Sequence, residues 1–104
     1  MAEDECLEAL KELGEAAYNQ FMTASTLRRD ALILWGEEVP PSEFVARFWS
    51  ELTAGRLRLK DREVCAPGGG CLLADRVLSD VRRYTRWSGM VRRLLRRAIE
   101  ACRG

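Results

Sequence analysis

The feature that most constrains this sequence is a helical repeat of apolar residues over the last third of the chain. Between Cys71 and Cys102, apolar side chains recur at the three- and four-residue steps of one helix face. The repeat consists of Leu73, Val77, Val81, Tyr84, Trp87, Val91, Leu94, Leu95, Ala98 and Cys102. Ser88-Gly89 interrupts it, but the apolar phase continues beyond. The segment is therefore one long helix with a soft point or two helices that meet at a corner, and the continuing phase favours a long or gently kinked amphipathic helix over residues 71–103.

The N-terminal quarter of the chain shows the same periodicity. The apolar face predicted for residues 4–22 consists of Cys6, Leu7, Leu10, Leu13, Ala17, Tyr18 and Phe21, with acidic residues opposite. Thr23, Ser25 and Thr26 offer a cap for a second helix. The apolar face of that helix comprises Leu27, Ala31, Leu34 and Trp35. Because no Gly or Pro intervenes, the first helix could equally continue through this point.

A further helix is expected after Gly36 and the pair Pro40-Pro41, which stop the preceding one. Ser42 stands where an N-cap is expected, and Gly55 suits a left-handed C-terminal stop, so we predict a helix from about Ser42 to Ala54. Its apolar stripe consists of Phe44, Val45, Phe48, Trp49 and Leu52. We expect this aromatic stripe to form the centre of the core.

Residues 55–70 break the helical pattern. Residues 56–60 alternate with period two, and Val64-Cys65 could pair with them across Asp61-Arg62. Two strands alone are marginal, so we expect a loop or one weak ribbon, followed by a flexible glycine connector over 66–70. The predicted fold is all-α: a single domain over 1–104, with acidic helices in 4–54, an irregular connector 55–70 and a basic helix 71–103, packed as a three- to four-helix bundle.

The four cysteines lie at positions 6, 65, 71 and 102, a spacing that is typical neither of a disulfide scaffold nor of a zinc site. We expect reduced thiols and a cytoplasmic or nuclear location. The acidic N-terminus does not resemble a secretory signal, and no stretch reaches the roughly 18 apolar residues of a membrane span. A reversible disulfide between Cys65 and Cys71 is the alternative for that pair.

Charge is distributed very unevenly along the chain. Residues 1–55 contain four bases and eleven acids, a net charge of −7, whereas residues 76–103 contain nine arginines and two acids, a net charge of +7. Such a dipolar chain indicates an anionic partner for its basic end, or self-association of opposite faces.

The basic charge falls on one side of the predicted C-terminal helix, opposite its apolar face. The candidate nucleic-acid-binding residues are Arg82, Arg83, Arg86, Arg92, Arg93, Arg96 and Arg97. Guanidinium groups bind phosphate oxygens in bidentate fashion, which lysine cannot do. We therefore expect these arginines to contact the backbone of a nucleic acid, RNA or another duplex, with little sequence preference. Small basic helical proteins of this kind are frequent among viral and mobile-element products, and that origin is our hypothesis.

Several alternatives stay open. The arginine face could be merely solvated, or neutralised by the acidic helix, in a protein-interaction adaptor that acts through helix-in-groove docking or homo-oligomerisation. It could also bind an anionic membrane or a calmodulin-like groove. The predicted partners are nucleic acid, a second copy in a homodimer held by the long helix and the aromatic stripe, and a protein bound by the acidic or aromatic face. With no histidine and no phosphate-binding loop, neither an enzyme nor a cofactor is expected.

Overall fold

The computed structural model describes residues 2–103, which form three helices and a small antiparallel sheet. The elements in chain order are α1 (Ala2–Trp35), α2 (Pro41–Thr53), β1 (Arg58–Lys60), β2 (Glu63–Cys65), β3 (Cys71–Leu73) and α3 (Ala74–Arg103). Three quarters of the chain is helical. The all-α prediction is thus correct for the dominant structure and wrong in omitting the sheet.

Helices α1 and α3 form an antiparallel pair that gives the molecule its length of 57 Å. Two contacts define the register of the pair. Cys6 forms a disulfide with Cys102 at one end, and the Gln20 amide donates a hydrogen bond to the Ser88 hydroxyl in the middle. Helix α3 runs unbroken through Ser88-Gly89. No helix in residues 2–103 has an apolar stretch long enough to span a membrane.

Helix α2 and the sheet cover the opposite end of this pair, where the core lies. Phe44 and Phe48 of α2 are fully buried, and their rings are nearly parallel with centroids 5.9 Å apart. The other buried side chains of this core are Leu27, Ala31, Leu34, Val39, Leu57, Val64, Ala66, Leu72, Val77 and Val81. The predicted aromatic stripe is therefore correct for these two rings but wrong for Trp49, which is 43% exposed.

The ends of the helices follow their local sequence signals in part. Gly36 and Gly55 adopt φ values of 70° and 79°, as expected for the residues that terminate α1 and α2. Ser42 does not cap α2, because the helix begins one residue earlier, at Pro41, with Pro40 in the cap position and no side-chain hydrogen bond there. Proline suits this first helical turn because its missing N–H would have no partner there.

Helix α1 continues through the hydroxyl residues that were candidates for a new cap. The side chains of Thr23, Ser25 and Thr26 donate hydrogen bonds to backbone carbonyls three or four residues earlier. These bonds turn the hydroxyls back onto their own helix, so they do not start another one. Of the two possibilities left open by the sequence, the single long helix is the observed one.

The sheet contains a hairpin, which is the ribbon that was one of the two structures expected there, and one unexpected strand. In the hairpin, Arg58 pairs with Cys65 and Lys60 with Glu63. Asp61 and Arg62, at φ 49° and 70°, form the tight turn between them. Strand β3 then pairs with β2, so residues 71–73 are extended and the basic helix begins at Ala74.

The glycine connector is held against α1 and is not the free hinge that its composition suggests. A Cβ atom on Gly70 would collide with the backbone carbonyls of Ile33 and Leu34, so only glycine allows this approach. The Gly70 carbonyl also accepts a hydrogen bond from the Ala66 amide at 2.8 Å. This close contact brings β3 and the start of α3 against the end of α1.

All four cysteines are paired, which corrects the expectation of free thiols. Cys65 bonds to Cys71 across the β2–β3 pair, and Cys6 bonds to Cys102 across the far ends of α1 and α3. The second bridge joins residues 96 positions apart. Spacing along the chain could not show this pairing, because it depends on the register of two distant helices.

Helix α1 turns a different face to α3 than its sequence indicated. The buried residues of its first half are the small side chains Ala9 and Ala16. Large apolar residues assigned to the predicted core face are exposed instead: Leu7, Leu10, Tyr18 and Phe21. Small residues at the contact let the two backbones approach closely, and the larger apolar residues are left facing outward.

Candidate nucleic-acid interface

The seven predicted arginines all lie on α3, and all of them are exposed. On the opposite side of the same helix, Val77, Val81 and Ala98 are buried against the rest of the protein. The structure therefore brings every predicted site residue onto one solvent-facing surface, which we call the arginine face. From Arg82 to Arg97 it spans about 22 Å at 1.5 Å per residue.

Few guanidinium groups of the arginine face pair with a carboxylate. No acidic residue occurs in α3 between Asp80 and Glu100. Among residues 2–103, one of the seven guanidinium groups forms an ion pair, that of Arg97 with Glu12 of α1 at 2.8 Å. Both partners are well exposed, and such a surface pair contributes about 0–1 kcal/mol. The sequence left open that the acidic helix α1 neutralises these arginines. Among residues 2–103, one surface ion pair between an arginine of this face and α1 forms.

Gly89 lies within the arginine face and divides it into two clusters. Arg82, Arg83 and Arg86 precede it, and the other four arginines follow from Arg92 onward, about 9 Å further along the helix. A Cβ atom on Gly89 would meet only the Arg93 guanidinium, at an ordinary contact distance of 3.8 Å. The Arg93 guanidinium thus lies over the glycine, between the two clusters.

A shallow groove of about 370 Å³ runs beside the arginine face, between α1 and α3. Trp87 and Arg93 form one wall, and Glu12 and Glu15 lie on the other. The indole of Trp87 is half-buried there, so base stacking on it would bring phosphates towards two carboxylates. The electrostatics thus favour contact on the outer side of α3 over insertion into the groove.

Two buried aspartates lie where α1 and α3 enter the core, and sequence reasoning did not single them out. Asp30 is fully buried and Asp80 is 6% exposed, and neither Asp30 oxygen has a hydrogen-bond partner among the described residues. Burial, and then the neighbouring Asp80, raise the pKa of Asp30 to about 7, although Arg76 at 3.9 Å acts in the opposite direction. Burial beside a second carboxyl group disfavours the charged form of Asp30, so this carboxyl takes up a proton at a higher pH than an exposed aspartate does.

The signal for this pair was present but weak: each aspartate interrupts an apolar helix face. Asp30 stands between Leu27 and Leu34, and Asp80 between Val77 and Val81. That the two meet depends on the register of α1 against α3, which the sequence does not reveal. Asp80 lies in the N-terminal third of α3, and Asp30 lies near the C-terminal end of α1.

Comparison with protein-family models, with curated proteins and with solved structures finds no match to this chain. What the protein does must therefore be inferred from its own residues. The arginine face carries seven exposed positive charges on one helix.

Proposed function

We propose that this chain is a non-enzymatic nucleic-acid-binding protein that grips an RNA or other duplex backbone with the arginine face of α3. One observation carries the proposal: seven arginines are exposed on one helix, and six of them have no carboxylate within 4 Å among residues 2–103. Guanidinium groups that have no carboxylate partner can bind the phosphate groups of a nucleic acid. A merely solvated helix face usually mixes both signs of charge.

The chemistry of the row favours backbone contacts over base reading. Each guanidinium can donate two parallel hydrogen bonds to one phosphate, and the continuous helix holds the groups at fixed spacing. Backbone contacts carry no base information, so the binding we propose has little sequence preference. Double-stranded RNA fits this mode because proteins recognise it mainly through its shape, phosphates and 2′-hydroxyl groups.

A second function, a protein-interaction adaptor, is favoured by a different surface. The outer side of α1 exposes large apolar residues that include Leu10, Tyr18 and Phe21. Apolar surface of this kind is typical of protein contacts. In an adaptor the arginines would only keep the protein soluble, and binding to its partner would respond weakly to salt.

A gel-shift experiment separates the two functions. Duplex RNA, duplex DNA and single strands of mixed sequence are each titrated with the protein at 50 and 200 mM salt. The proposal predicts binding to duplexes of unrelated sequence at the lower salt, with affinity falling steeply, by 10³-fold or more, at the higher salt. An absence of binding to every nucleic acid at 50 mM salt would contradict it and favour the adaptor.

A further inference from the structure

The outer side of α1 is an apolar surface that nothing in residues 2–103 covers. Leu7, Leu10, Ala17 and Phe21 follow the alternating three- and four-residue steps of a coiled-coil seam, with Gly14 in the same series. Tyr18 and Met22 lie beside it. All seven residues are exposed, and Tyr18 and Phe21 exceed 60%. We call this surface the α1 seam.

Helix α1 therefore has two helix-packing faces. One buries Ala9, Ala16 and Leu27 against the rest of the protein, and the seam lies on the opposite side. A helix that is apolar on two opposite sides is typical of one that packs between two others. The structure supplies the partner for the first side, which is α3, but not for the second.

We infer that the α1 seam binds the α1 seam of a second copy of this chain, with the two α1 helices antiparallel. The first argument is charge. Glu3 and Asp4 flank the N-terminal end of the seam, and Arg28 and Arg29 flank its C-terminal end; all four are exposed. An antiparallel pair centred near residue 16 places both acids of each copy against both arginines of the other.

The flanks also match in position around the helix. At 100° per residue, Glu3 and Arg28 fall on the lines of Phe21 and Leu10 within the seam, and Asp4 and Arg29 fall beside Tyr18 and Met22. In an antiparallel pair related by a two-fold axis, the N-terminal acids of each copy lie at the same end as the C-terminal arginines of the other. Both ends therefore join acids to arginines, whereas a parallel pair would oppose like charges at both ends.

The sizes of the facing residues also fit an antiparallel pair centred at residue 16. With residue 16 on the axis, Gly14 of one copy lies opposite Tyr18 of the other, and Leu10 opposite Met22 or Phe21. A Cβ atom on Gly14 would meet nothing within 4 Å, so the surface is open where the partner's tyrosine ring would lie. A large residue opposite a small one is the usual complement at a close helix contact.

This dimer differs from the one expected from the sequence. Phe44 and Phe48 of the aromatic stripe are already buried within one copy and cannot form an interface. Because each α3 lies behind its own α1, the two arginine faces would point away from each other instead of lying side by side. Each dimer would then present two separate arginine faces; their binding to two duplexes rests on the proposed function, but the dimer itself does not.

Charge-reversed variants of the full chain test the inference by analytical ultracentrifugation without nucleic acid. One variant carries Glu3→Arg and Asp4→Arg, and the other Arg28→Glu and Arg29→Glu. Each alone should dimerise at least tenfold more weakly than the parent, because both ends of the seam become repulsive. An equimolar mixture should regain dimers, since it restores opposite charges at every contact. The control, Arg58→Glu with Arg62→Glu on the exposed hairpin, should dimerise like the parent.

Gly14→Arg provides a second test that does not depend on the helix ends. Open space around Gly14 and the low helix propensity of glycine mean that the monomer should fold at least as well, while the added side chain blocks the partner's tyrosine. We expect circular dichroism to be unchanged and dimers to be lost. A parent that is monomeric at high micromolar concentration, or a dimer that survives all of these variants, would overturn the inference.

Discussion

Replacing Asp30 by asparagine should make the protein more stable at pH 8 but not at pH 4.5. Asp30 is fully buried beside Asp80, and its pKa is raised to about 7, mainly by burial. In the unfolded chain an aspartate titrates near 3.8. Between these two values the folded state binds a proton that the unfolded state has released, so this group makes stability fall as pH rises from about 4 to about 7.

The size of the effect follows from the two pKa values. One pKa unit corresponds to 1.36 kcal/mol, so the loss between pH 4 and pH 8 is at most about 4 kcal/mol. Asparagine has nearly the same shape and stays neutral, and its amide can donate a hydrogen bond to Asp80. We expect Asp30→Asn to match the parent within about 1 kcal/mol at pH 4.5 and to exceed it by about 2 kcal/mol or more at pH 8.

Urea unfolding followed by circular dichroism at pH 4.5, 6 and 8 measures this difference. Titrating groups that lie away from the Asp30–Asp80 pair affect the parent and the variant alike and cancel. The matched control is Glu38→Gln, an exposed carboxylate in the loop before α2, which should show no pH-dependent gain. A variant that is less stable than the parent at pH 8 would refute the reasoning, because it would mean that Arg76 holds Asp30 in its charged form.

Three further predictions concern stability. Gly89→Ala should stabilise the protein by about 1 kcal/mol in thermal melts, because the glycine lies inside a continuous helix and an added methyl group meets only ordinary contacts. Cys6→Ser combined with Cys102→Ser should lower the free energy of unfolding by about 2–5 kcal/mol, since the lost bridge closes a loop of nearly the whole chain; a melting temperature equal to that of the parent would show that the bridge does not form. Phe48→Ala should cost about 3–5 kcal/mol in urea unfolding, whereas the half-exposed Trp49 should cost clearly less on the same change; equal costs would contradict the buried and exposed positions assigned to them.

Local signals predicted the elements that depend on local sequence. Gly36 and Gly55 end their helices as expected, and the last three of the alternating residues 56–60 form one arm of the hairpin. The third strand was missed because Cys71 and Leu73 also fit the helical spacing of the segment that follows them. This segment pairs with β2, and Gly70 before it packs against α1; both contacts join residues that are distant in local sequence pattern.

Features that depend on the packing of α1 against α3 could not be predicted from the sequence. The count of large apolar residues on α1 favoured the face with Leu10 and Phe21, but packing against α3 selected the small residues Ala9 and Ala16. The disulfide across the helix ends and the buried aspartate pair depend on the same register. The arginine face could be located because it lies within one helix, where spacing alone determines which residues share a side.

Salt dependence of binding tests the proposed function most directly. Fluorescence titrations of labelled duplex RNA from 50 to 200 mM salt give the slope of log affinity against log salt for the parent, for Arg86→Gln with Arg93→Gln, and for the control Arg58→Gln with Arg62→Gln. Each lost phosphate contact should lower the slope by about one, so the first variant should lose about two and the control nothing, at unchanged thermal stability. A slope equal to the parent's in the first variant, or a parent that does not bind at 50 mM salt, would contradict the proposal that the arginine face grips nucleic acid.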